Sequence, residues 1–181
     1  QPIFNENRRI WTVSNGEIYN YPELCDDLAR RGHVFRSMTD TEVIPHAYEE
    51  YGIDFLKRLN GMFGLALWDE DRHQLFLARD RVGIKPLYYY HDNERFVFAS
   101  ELTAILACRE IGLDLEVDPF SLNQFFIHGY MVAPYTMFKK VRKLMPGQYL
   151  ALHNNRIEVH NYWNAEFVAE EKMDETQALE N

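Results

Sequence analysis

Residues 62–78 constrain this chain more than any other stretch. Positions 62–68 and 74–78 are almost continuously apolar, and the five residues between them are polar and poor in β-formers. Each run is shorter than an ordinary helix and has no polar face. The pair therefore predicts a hairpin whose strands are buried on both sides. Such a sheet needs cover above and below, so the rest of the chain must supply a second sheet, helices or both.

The remaining pattern supplies them. Residues 9–14 alternate and are rich in β-branched and aromatic side chains, which predicts a strand ending at an Asn15-Gly16 turn. Residues 21–31 carry Leu24 and Leu28 at helical spacing, with Gly32 as a stop. A second helix is expected over 40–51. Thr39 and Glu42 have capping-box spacing there, Gly52 ends it, and Pro45 is harmless only within its first turn, so the helix could begin nearer Thr41. Residues 87–90 and 95–99 predict a second hairpin. Short helices are expected at 101–107 and 119–127, then strands at 148–153 and 156–162 around an Asn154-Asn155 turn. Hairpins with helices grouped between them give an α+β class with stacked antiparallel sheets.

Composition narrows the function. Twenty-eight acidic residues against 19 basic ones leave a formal charge of −9. Nucleic acids and anionic membranes are held by clustered Lys and Arg, so neither is an expected partner. No run is long enough to span a bilayer, and no secretory leader is visible. Cys25 and Cys108 form no spaced pair, which suits a reducing, cytoplasmic setting. The seven histidines have no metal-ligand spacing, so no metal site is expected.

Three clusters could carry chemistry. In the first, Asn15 and Gly16 offer a side-chain amide and a backbone N–H side by side, the neutral donors that a tetrahedral oxyanion needs. Taken alone, a plain Asn-Gly turn is the more economical reading. In the second, Asp40 could hold an ammonium group, although helix capping by residues 39–42 explains the same residues. The third, Arg79-Asp80-Arg81 ahead of Gly83, Lys85 and Pro86, reads as an ion-paired turn that positions strands. Neither cysteine has a histidine nearby in sequence, and both read as packing residues.

In their order, these clusters resemble the N-terminal glutaminase domain of glutamine-hydrolysing asparagine synthetases. The matching segments are 15–20, 37–42, 59–69, 77–90, 98–102 and 144–149, within a similarity running from Trp11 to Tyr162. The resemblance implies a class II glutamine amidotransferase with the N-terminal-nucleophile fold, a four-layer α-β-β-α sandwich of antiparallel sheets. It makes Asn15 and Gly16 the oxyanion-hole pair, and Glu17 and Asp40 the residues holding the α-amino end of glutamine. In that family an N-terminal Cys thiolate attacks the glutamine carboxamide, with its own α-amine as base. The ammonia released then reaches a C-terminal synthetase domain that activates aspartate with ATP.

One departure is sharp. Gln1 has no nucleophilic side chain, and the family's opening Cys-Gly segment and Arg-bearing loop have no counterpart. Residues 1–163 are therefore expected to form a glutaminase domain incomplete at its N-terminus and inactive by itself. Residues 164–181 are expected to be an acidic linker toward an absent synthetase domain. Glutamine or glutamate and that domain are the expected partners, and unpaired sheet edges would allow a homodimer. No cofactor is expected in this domain; ATP and Mg2+ belong to the synthetase domain. The alternative is a non-catalytic structural or regulatory module of a synthetase-like protein.

Overall fold

The computed structural model describes residues 1–166; the expected linker over 164–181 falls mostly outside them. Among the described residues, nine strands form two antiparallel sheets. The larger contains β1 (Ile3–Phe4), β2 (Ile10–Ile18), β3 (Gly61–Asp69), β4 (Gln74–Arg79), β8 (Gln148–His153) and β9 (Arg156–Asn161), in the order β1-β2-β3-β4-β8-β9. The smaller runs β6-β5-β7, from β5 (Tyr88–His91), β6 (Phe96–Ala99) and β7 (Val141–Lys143). All three expected hairpins form, and Asn154 and Asn155 both take positive φ at the β8–β9 turn, as a two-residue hairpin loop requires.

Three apolar layers explain why β3 and β4 are apolar on both faces. On one face, Phe63, Leu65, Leu67, Phe76 and Ala78 meet Leu24 and Leu28 of α1 (Tyr21–Arg30), Val43, Ile44, Ala47 and Tyr48 of α2 (Val43–Tyr51), and Phe55 and Leu56 of α3 (Phe55–Arg58). On the other, Ala66, Leu77 and Leu150 meet Leu87, Tyr89, Phe96 and Phe98 of the smaller sheet and its approach. The far face of that sheet, with Tyr90 and Val141, packs on Ile105 of α4 (Leu102–Ala107), Leu113 and Phe138. The order is helix, sheet, sheet, helix, as the resemblance implies. Burying one such Leu or Phe contributes about 1.5–3 kcal/mol. A further helix, α5 (Pro119–His128), gives only Ser121 to the interior.

Two local expectations need correction. The first is the strand end at Asn15-Gly16: β2 runs straight through that dipeptide to Ile18. Gly16 lies opposite Phe63, and a Cβ there would stand 2.0 Å from Met62 O and 2.7 Å from Phe63 Cα. Glycine is required for close strand approach, not for a turn. The chain leaves the sheet at Asn20, whose amide donates to Arg58 O and whose carbonyl accepts the Asn60 N–H. The second is the capping box, which does not form. Residues Asp40–Glu42 make a 3-10 turn, Thr39 gives no side-chain cap, and α2 starts at Val43 with Pro45 safely in its first turn. Glu42 is buried and accepts the Arg36 and Ser37 N–H groups at 2.7 and 2.6 Å, so it secures the loop ahead of the helix.

Candidate functional site

The site begins with a strand edge that is only partly paired. β1 meets β2 at Trp11 and Thr12 alone, so among the described residues no strand continues along Ser14–Ile18 on that side. Alternation in a β-ladder turns every second N–H outward. Here those belong to Ser14, Gly16 and Ile18. The Ser14 N–H donates to Gln1 Oε1 at 2.6 Å, while Gln1 Nε2 donates to Ser14 O at 2.9 Å. The Ile18 N–H donates to Asp40 Oδ2 at 2.7 Å. Phe63, opposite Gly16, spends its own N–H and C=O on Asp80, so Gly16 N–H is not drawn into the β2–β3 ladder. It faces the open edge between a seated carboxamide and a carboxylate.

Three of the four residues singled out from sequence are contiguous and exposed, and the fourth, Asp40, bonds the Ile18 N–H next after them. Asn15 and Glu17 alternate to the face of β2 shared with Val13, toward the smaller sheet, where Asn15 borders a cleft of about 190 Å³. Gln1, Gly64, Ala66, Leu87, Phe98 and Ser100 also line it. Asp40 is half-buried at the strand's end. A rise of about 3.3 Å per residue sets the Gly16 and Ile18 N–H groups about 7 Å apart. The edge therefore carries a donor and a carboxylate separated by a few bond lengths. Sequence reasoning missed Gln1, because nothing in the sequence signals that a side-chain amide will extend a strand ladder.

The Arg79–Arg81 turn behind this edge positions strands, as expected, but through hydrogen bonds to backbone groups and not through the expected ion pairs. Buried Asp80 accepts N–H groups from Phe63, Val82, Ile84 and Lys85, while Arg79 donates to the Lys85, Gly83 and Leu144 carbonyls. Burial holds the Arg79 guanidinium below its usual pKa. Neither thiol reaches the edge. Cys25 packs against the α1–α2 core, and burial, helped by Glu42 and Asp26, pushes its thiol pKa up. Cys108 packs beside Ile105 and donates to Ala104 O.

The fold also brings together two histidines that no spacing rule pairs. His33 and His46 are distant in spacing terms yet lie together, ring centroids 5.1 Å apart. With Glu6 and Glu49 they place four metal-competent ligand atoms within 4.8 Å of one another. No helix of the described residues is long and apolar enough to cross a membrane.

A family model described as a glutamine amidotransferase domain matches residues 1–163. Asparagine synthetase [glutamine-hydrolysing] 3 of Bacillus subtilis is 40% identical over 155 residues, covering 85% of this chain and 25% of that protein. A putative asparagine synthetase of Methanocaldococcus jannaschii is 37% identical over 154 residues, with 85% and 29% covered. The chain thus spans under a third of these relatives' length. Among solved structures, the glutamine phosphoribosylpyrophosphate amidotransferase of B. subtilis superposes with a TM-score of 0.62, covering 90% of this chain and 32% of that one. At 21% identity that likeness carries the fold alone, the N-terminal-nucleophile sandwich. On its sequence and its four layers, the chain belongs to the glutamine amidotransferase domain family.

Proposed function

We propose that the open edge of β2 is the glutamine site of a glutaminase that feeds ammonia to an ATP-dependent, aspartate-amidating synthetase. The observation that carries this is the outward Gly16 N–H, set between Asn15 and the Asp40 carboxylate. Glutamine's amide carbon and α-nitrogen are four bonds apart, a span of about 5 Å. A molecule of that length can present its carboxamide to Gly16 and Asn15 while its ammonium meets Asp40. Glu17, one residue along, adds negative charge to the amino end.

In that pose, attack on the carboxamide carbon turns its oxygen into an oxyanion. The Asn15 amide and Gly16 N–H are neutral donors that strengthen as this charge develops, and they need no proton transfer. The proton given up by the attacking thiol passes to the amide nitrogen, the C–N bond breaks and ammonia leaves, and water then hydrolyses the thioester to glutamate and the free thiol. The attacking thiol must be a group other than Cys25 or Cys108, both of which are committed to the cores. These 181 residues by themselves are accordingly expected to release no ammonia. ATP and Mg2+ enter only through the synthetase portion named in the relatives.

A test is to titrate the intact protein with glutamine and follow backbone amides by NMR. The Gly16 amide and the Asn15 side-chain amide should shift together, and Asp40→Asn should weaken the response. Saturating glutamine that leaves Gly16 unmoved would rule the site out.

The two inward-packed thiols favour one other possibility, a domain that keeps the binding edge and has no hydrolysis. Glutamine binding by the full-length protein without ammonia release would identify it.

A further inference from the structure

On the helical side of the larger sheet, four side chains gather that the glutamine edge does not use. His46, on α2, is fully buried, and neither of its ring nitrogens has a hydrogen-bond partner among the described residues. A buried polar group left without a partner is destabilising. Glu6 Oε2 lies 3.2 Å from His46 Nδ1 without the alignment of a hydrogen bond. Glu6 Oε1 accepts the Val34 N–H at 2.8 Å and stands 3.2 Å from His33 Nδ1. Glu49 joins from the next turn of α2, its Oε2 held by Asn5 Nδ2 at 2.8 Å. Each residue offers a ligand atom within 4.8 Å of every other.

We infer that Glu6, His33, His46 and Glu49 form a binding site for a transition-metal dication of the zinc class. Three independent features point to it. First, two imidazoles with two carboxylates are a ligand set that suits zinc and its neighbours, whereas calcium and magnesium favour oxygen alone. Second, carboxylates crowd the two rings: besides Glu6 and Glu49, Glu42 Oε1 lies 3.9 Å from His46 Nε2 and Glu50 Oε2 lies 3.7 Å from His33 Nε2, a setting that favours a cation. Third, the orphaned nitrogens of a buried imidazole gain the partner that they lack. Tetrahedral bonds of about 2.1 Å need ligand atoms about 3.4 Å apart, so separations that reach 4.8 Å must tighten by up to about 1.4 Å.

Four protein ligands make this a closed, structural site with no open position for substrate. The Asn5 amide already holds Glu49, and the Val34 N–H already orients Glu6, as outer partners of metal ligands do. A bound ion would tie the segment before β2 and the loop after α1 to helix α2. That loop runs on to Asp40, but the site is independent of whether glutamine binds there.

The test is to strip the intact protein with a chelator and titrate it with Zn2+ in a calorimeter. One equivalent should bind and the melting temperature should rise. His33→Gln and Glu6→Gln should each weaken binding by at least about tenfold. Co2+ added to the wild-type protein gives a readout that needs no variant: intense visible bands of a tetrahedral site are expected. Failure of the wild-type protein to take up zinc, undiminished uptake by both variants, or an octahedral cobalt spectrum would each overturn the site.

Discussion

The Asp40 carboxylate accepts the Ile18 N–H at 2.7 Å, and that single bond fastens the loop before α2 to the open edge of β2. It leaves Oδ1 with only a long contact to its neighbour Thr41. Asp40 is therefore both a strand-edge cap and a carboxylate with an oxygen to spare. Asp40→Asn keeps an acceptor for Ile18 and loses the charge. The Michaelis constant for glutamine should rise about 10–100-fold, since a hydrogen bond to a charged group is worth about 1.5–3 kcal/mol. The turnover number should change little. Steady-state ammonia release by the intact protein checks this.

Gly16→Ala should be far more damaging than its size suggests. Its methyl group would lie 2.0 Å from Met62 O and 2.7 Å from Phe63 Cα, both backbone atoms, at a φ of +151°. β2 and β3 would have to part, costing about 3 kcal/mol or more. Gly32→Ala is the control: it also has positive φ but meets nothing within 4 Å, so about 1–2 kcal/mol is expected from strain alone. Urea denaturation of both variants separates the two effects.

The same comparison shows what could be read from sequence and what could not. The hairpins and most helices were legible because burial on one or two faces leaves a periodic trace, as in residues 62–78. Asn15-Gly16 misled because turn chemistry and close strand approach both call for glycine, and only the opposing strand distinguishes them. Thr39 and Glu42 had the right spacing for a box, but Glu42 had buried N–H groups of Arg36 and Ser37 to satisfy instead. β1, β7 and α3 are 2 to 4 residues long, too short to set up a period. His33, His46 and Glu6 meet only through the fold, so no spacing rule could find them. The pairing of Asp40 with the Asn15-Gly16 edge came from family resemblance and gained its geometry only from the Ile18 contact.

Asp80→Ala should destabilise by about 3–5 kcal/mol, because four N–H groups lose the buried carboxylate that accepts them. Asp80→Asn retains one acceptor oxygen and should lose less. Chemical denaturation ranks the two, and equal stability of Asp80→Ala and wild type would contradict the anchoring role.

Asp92 gives a pH signature in the β5–β6 hairpin. The Tyr90 hydroxyl, then the Glu94 and Arg95 N–H groups and the Arg95 charge, pull its carboxyl down to about 2. A folded-state value below the unfolded one means that the contribution is complete above the ordinary carboxylate range and is lost as pH falls through about 2. A carboxyl NMR titration should place the midpoint there, and Asp92→Asn should remove the acid-side loss.

Asn15→Ala in the full-length protein is the sharpest trial of the oxyanion role. It deletes one donor at an exposed position without touching the core. Turnover of glutamine should fall about 100- to 1,000-fold with the Michaelis constant nearly unchanged. Ammonia release at the wild-type rate would contradict the assignment of the β2 edge.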